Sequence, residues 1–204
     1  MDAKYIQPPL EHHTVYHIYN GGINGCPIFH TEDDYTRFLS KMDKYILPIA
    51  EIYAWALLGN HFHFLVRIKR ENEIKSVKEL KLFDKEKNKE LEDKKPDISM
   101  QFSHLFNSYA QYYNHKYKRH SSLFEHQFKR KKVNNREYFK RCVIYIHQNP
   151  IKHGFVTDIR DYPYTSFHEM FNDGKGRINK EIVLRVFDNL GNFNNAHNEM
   201  VELD

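Results

Sequence analysis

From Val15 to Asn20 the chain reads VYHIYN, alternating as a half-buried strand does, and the GGINGCP that follows closes that strand in a loop. Thr31 opens TEDDYTRFLSKMDKYIL with a capping hydroxyl and an acidic first turn. Tyr35, Phe38, Leu39, Met42, Tyr45 and Ile46 then recur at helical spacing. Glu51 to Leu58 is the next predicted strand. Gly59-Asn60 is a two-residue turn that returns the chain antiparallel through LLGNHFHFLVRI. Residues 69–97 are rich in Lys and Glu, poor in large apolar side chains and closed by Pro96, the pattern of an exposed charged insertion or a partly helical arm.

Helical spacing returns from Ile98 to about Lys118 through Phe102, Leu105, Phe106, Tyr109, Tyr112 and Tyr113. A fourth strand is predicted over Leu123–Val133, and a third helix over REYFKRCVIYIHQ, ending ahead of Pro150 because a residue before proline is biased away from helix. The order strand, helix, two strands, helix, strand predicts an α+β fold. It is a ferredoxin-like split βαβ, a four-stranded antiparallel sheet with its helices on one face. Residues 1–170 form one domain in this reading, and 171–204 a partly helical C-terminal extension.

Composition adds a location and a partner. No run of about 18 apolar residues is present to cross a membrane. With only Cys26 and Cys142 and no secretory pattern at Met1, a reducing cytoplasm is expected. Net charge is +4 but uneven: residues 116–141 hold ten Lys or Arg against Glu125 and Glu137, a local +8 that leaves the remainder near −4. Such a stretch suits a polyanion, with Lys129, Arg130, Lys131 and Lys132 as candidate phosphate contacts, or else forms a solvated basic face. Some of Tyr112, Tyr113, Tyr117, Phe124 and Phe128 could stack on unpaired bases, while most of them suit the core.

The candidate chemistry begins at His61 and His63. On a strand they project to one face, with Arg67 as a further candidate DNA contact, while Phe62, Phe64, Val66 and Ile68 fill the other. This is the geometry of a two-nitrogen metal grip, although a bare His-x-His also occurs on the solvent face of ordinary strands. Tyr145 and Asn149 stand at i and i+4 on the third helix. They set an amide donor beside a phenol, with Gln148 as a neighbouring alternative.

Six stretches, VYHIYNGGING, PIFHTEDDYTRFL, YAWALLGNHFHFLVRI, LFEHQFKR, YIHQNPIKHGFV and DYPYTSF, occur in order between Thr14 and Phe167. Together they resemble the REP-associated tyrosine transposases of the single-tyrosine His-hydrophobic-His superfamily. The resemblance implies metal-dependent cleavage and strand transfer of single-stranded DNA at hairpins, through a 5′-phosphotyrosine on Tyr145. It implies His61, His63 and Asn149 as ligands of a divalent ion, Mg²⁺ or Mn²⁺, and single-stranded or hairpin DNA as partner, with a homodimer as a further expectation. His147 and Lys152 are candidate bases for the phenol, and Lys152 and His153 either touch DNA or end the helix.

The sequence departs from the pattern at Gly21, where arginine is common, at Gly59, where proline is usual, and at His126-Gln127, which replace a Gly-Arg pair. Two other readings share these residues: a hairpin-binding module that no longer cuts, and a relaxase or replication-initiation nickase.

Overall fold

The computed structural model describes residues 9–80, 93–174 and 176–203. Four antiparallel strands, β1 (Val15–Gly21), β2 (Ala50–Leu58), β3 (His61–Ile68) and β4 (Lys129–Lys132), lie in the order β2-β3-β1-β4. With α1 (Glu32–Tyr45) between β1 and β2 and α2 (Ile98–Lys116) between β3 and β4, this is the ferredoxin-like split βαβ. Leu58 pairs with His61, so Gly59-Asn60 forms the two-residue turn expected from the sequence.

α1 and α2 gather on one face of the sheet, where the alternate residues Phe62 and Phe64 meet them. Phe38 of α1 lies 5.2 Å and Phe106 of α2 lies 5.5 Å from Phe62, ring centre to ring centre. The two helices are tied together at Asp34, a fully buried carboxylate. It accepts from the His30 and Thr31 amides, the Lys116 ammonium and the Tyr117 hydroxyl. That set of donors holds its carboxyl far below the usual carboxylate range, against the cost of burial.

The opposite face is also covered, by α3 (Arg136–Lys152), so the third helix departs from the one-sided arrangement read from the sequence. Ala54 and Ala56 of β2 sit in register with Leu65 and His63, and their small side chains let α3 approach. A bulge between Ile52 and Ala54 bends the strand beneath the helix.

Two boundaries and the exposure of the insertion differ from the sequence reading. β4 begins at Lys129 rather than Leu123, because Gln127 has a φ of 60° and breaks the extended run. α3 continues through Pro150 to Lys152, since the amides that follow still find carbonyls: His153 donates to Asn149 and Phe155 to Pro150. Pro150 falls in the last turn, where few bonds remain to be broken. Within the charged insertion Ile74 and Val77 are buried, while residues 81–92 lie outside the described residues.

After α3, residues 164–166 bond along the outer edge of β2 and so cover it, Leu57 donating to Tyr164 and Ser166 to Trp55. The C-terminal segment adds α4 (Lys180–Phe187) and α5 (Leu190–Ala196), whose Val183, Phe187 and Phe193 join the main core.

Candidate active site

Strand register assembles the site. β3 contributes His61 and His63, and across the ladder from β1 Tyr19 faces His63, Gly21 faces His61 and His17 faces Leu65. On the other side of β1, Lys129 pairs with Tyr19 and Lys131 with His17. Side chains directly opposite share a face, so two histidines become three, joined by Tyr19 and two lysines. A side chain at Gly21 would meet the Asn60 carbonyl, 3.2 Å from a built Cβ. α3 then lays Tyr145 across the group, its ring edge-on to His63 at 5.8 Å and to His17 at 6.0 Å.

The imidazoles are neutral and oriented. Burial, and after it the neighbouring His153, pushes His61 down to about 4. Burial, with His17 and His61 beside it, holds His63 well below the usual histidine range. Asn60 Nδ2 donates to the Gly25 carbonyl at 3.3 Å, which turns Asn60 Oδ1 toward His61 Nδ1 at 2.7 Å. His61 Nδ1 therefore carries the proton and Nε2 the lone pair. His63 Nδ1 lies 2.9 Å from His17 Nε2.

Asn149, fully buried, is the remaining donor. Its Nδ2 donates to the Tyr145 carbonyl at 2.8 Å, while Oδ1 is buried and accepts no well-aligned hydrogen bond among the described residues, and the side chain lies beside the His61 ring. A buried amide oxygen without a donor is costly, about 1–3 kcal/mol, unless something else satisfies it. Among the described residues no three His, Cys, Asp or Glu side chains form a metal cage. An ion here would rest on two imidazoles and this oxygen, an open donor set of the kind that suits a catalytic cation. Gln148, the alternative donor, is spent elsewhere: it donates to the His197 and Glu199 carbonyls and accepts from the Val201 amide.

Tyr145 is half-buried. Burial raises its phenol above the ordinary value, and the Glu202 carboxylate raises it further. Lys152 Nζ lies 4.5 Å from the centre of the ring and pairs with Glu202 at 2.5 Å. A cleft of about 200 Å³ opens beside His61 and Lys129. It meets, at Asn20 and Glu125, a larger groove of about 590 Å³ between α2 and residues 122–128.

The remaining sequence candidates separate. Arg67 shares the histidine face but is paired with Glu51 at 3.0 Å and Glu73 at 3.1 Å. Alternation along β4 sends Arg130 and Lys132 to the other face, where Arg130 lies over the Phe128 ring and Lys132 pairs with Glu11. Lys116 is committed to Asp33 and Asp34, which reduces the basic stretch. His147, a candidate base, is fully buried on another side of α3, bonded to His197 and Ser166, and does not reach the phenol. The aromatics near the basic stretch are engaged: the Tyr112, Tyr113 and Tyr117 hydroxyls bond Asp33, the Pro27 carbonyl and Asp34, and Phe124 and Phe128 pack on Phe106. His17, Tyr19, Asn60 and Glu202 join the site without being among the sequence candidates. For His17 and Tyr19 a signal existed, since VYHIYN carries them at the same two-residue spacing as the β3 pair.

No family model matches this sequence, and no curated protein matches it. Among solved structures the chain is similar to a REP-associated tyrosine transposase bound to a REP hairpin. The TM-score is 0.57 and the sequence identity 17%, over 83% of this chain and 85% of that one. At that identity the likeness is one of fold, and it extends over most of both chains.

Proposed function

We propose that this chain is a REP-associated tyrosine transposase, cutting and rejoining single-stranded DNA at a hairpin. The observation that carries the reading is Asn149 Oδ1, buried without a well-aligned donor one helical turn from Tyr145, with its side chain beside the neutral His61 ring. Resemblance in six stretches and likeness of fold to a hairpin-bound relative support it.

In this reaction Tyr145 Oη attacks the phosphorus of a phosphodiester. The new O–P bond forms as the bond to the 3′ oxygen breaks, the phenol gives up its proton, and the 3′ oxygen gains one to leave as a hydroxyl. The 5′-phosphotyrosine conserves the energy of the broken linkage, so a 3′ hydroxyl rejoins it without a nucleotide cofactor. His61, His63 and Asn149 would hold Mg²⁺ or Mn²⁺, which when bound would supply Lewis-acid polarisation of the phosphate. The unperturbed tyrosine pKa is about 10, and this phenol lies above its ordinary value, so ionisation needs help at neutral pH. Lys152 places a positive charge against the ring face, and Glu202 moderates it. Lys129 and Lys131, exposed on the histidine face, receive the phosphate backbone on its way to Tyr145.

The test is a covalent adduct. Incubated with Mn²⁺ and labelled hairpins from its genomic flanks, the protein should yield a denaturation-resistant protein–DNA species. Tyr145→Phe should bind the same hairpins and yield none. Hairpin binding without an adduct, across several hairpins and both metals, would replace the enzyme by a binding module that no longer cuts.

A further inference from the structure

His61 and His63 differ in what holds them. The partner of His61 Nδ1 is the Asn60 amide oxygen, an acceptor only, so the proton on that nitrogen is dictated from outside. The partner of His63 Nδ1 is another imidazole, His17 Nε2 at 2.9 Å, and the single proton between two neutral rings can belong to either. If it sits on His17, the proton of His63 is on Nε2 and that nitrogen cannot bind an ion. If it sits on His63 Nδ1, the Nε2 lone pair is released. A ligating histidine generally donates its other N–H to a fixed acceptor, and loss of such a partner lowers metal affinity by about 10- to 100-fold.

His17 is placed to be that acceptor. It is buried, side by side with His63 with ring centres 5.1 Å apart and planes only 25° apart, flanked by Tyr19 at 5.0 Å and edge-on to Tyr145 at 6.0 Å, so its ring has little room to turn.

We propose that His17 is a positioning residue of the metal site: its Nε2 accepts the Nδ1 proton of His63 and so fixes the tautomer that presents His63 Nε2 to the ion. This rests on the metal-dependent reading above. It makes the two strands asymmetric partners, β3 supplying the ligands and β1 setting the protonation of one of them.

Two measurements on the full chain test it. Long-range proton–nitrogen NMR of the metal-free protein near neutral pH should find His63 and His17 both protonated at Nδ1. A His63 protonated at Nε2 overturns the proposal. In calorimetric titrations with Mn²⁺, His17→Ala should bind about 10- to 100-fold more weakly than wild type. His17→Gln, whose side-chain oxygen can accept the same proton, should recover most of the loss. Affinity unchanged in His17→Ala, or an equal loss in both variants, overturns the role of His17 alone. Wild-type protein that takes up no Mn²⁺ overturns the metal reading and this role with it.

Discussion

Asn149 shows why a residue can be poor for the fold and right for a site. Its Nδ2 bond to the Tyr145 carbonyl contributes about 1 kcal/mol, whereas leaving Oδ1 buried without a well-aligned donor costs about 1–3 kcal/mol. Leucine, which has the same branched arrangement of heavy atoms, removes both terms and adds apolar contact. Asn149→Leu is therefore expected to leave stability unchanged or raise it by about 1 kcal/mol, while Mn²⁺ binding and adduct formation are lost. Urea denaturation and calorimetry on the same variant check this, and a loss of about 2 kcal/mol or more would assign the amide to the fold. Tyr145 is a similar compromise: burial orients the ring and makes its proton harder to remove.

β4 carries the clearest lesson about elements. A run of four basic residues looks like one patch in the sequence, but a strand deals them to two faces. Lys129 and Lys131 border the histidines and Tyr19, while Arg130 and Lys132 lie on the side of Tyr16 and Ile18. The double variant Lys129→Ala/Lys131→Ala should weaken hairpin binding and flatten its salt dependence by about 0.7 per lost contact for single strands. Arg130→Ala/Lys132→Ala should change the slope little. Binding isotherms at several salt concentrations decide it, and equal slopes in the two variants would mean that the faces are not distinguished. α3 makes a complementary point, for Pro150 in its last turn leaves the spacing of Tyr145 and Asn149 intact.

At the scale of the whole molecule, the C-terminal segment is built into the same core as the sheet. His147 Nδ1 lies 2.9 Å from His197 Nε2 and its Nε2 lies 2.7 Å from Ser166 Oγ, while Phe193 stacks on Phe167. Burial holds His147 well below the usual histidine range and pushes His197 down to about 4. Unfolded, each titrates near 6.5, so the unfolded chain binds more protons below that pH. The stability these neutral rings provide is complete above about 6.5 and is lost as pH falls toward 4, by up to about 1.4 kcal/mol per pH unit for each ring. Urea midpoints should therefore fall between pH 6.5 and 4, and His147→Gln/His197→Gln should flatten that fall. A slope unchanged in the double variant would place the acid sensitivity elsewhere.

Local pattern was enough for the order of the elements, the turn at Gly59-Asn60, the projection of His61 and His63 to one face and the i, i+4 pairing of Tyr145 with Asn149. Each depends on a period of two or 3.6 residues, which a sequence displays directly. What covers a face, and which strand lies beside which, depends on contacts between residues far apart in the chain. Only the fold set α3 over the histidines, brought His17 from β1 to His63 and Glu202 to Lys152, and spent Arg67 on Glu51 and Glu73. Gln148 and Asn149 look equivalent as adjacent amides. Packing of the C-terminal segment engages one completely and leaves the oxygen of the other without a well-aligned donor, and that difference exists only once the chain has closed on itself.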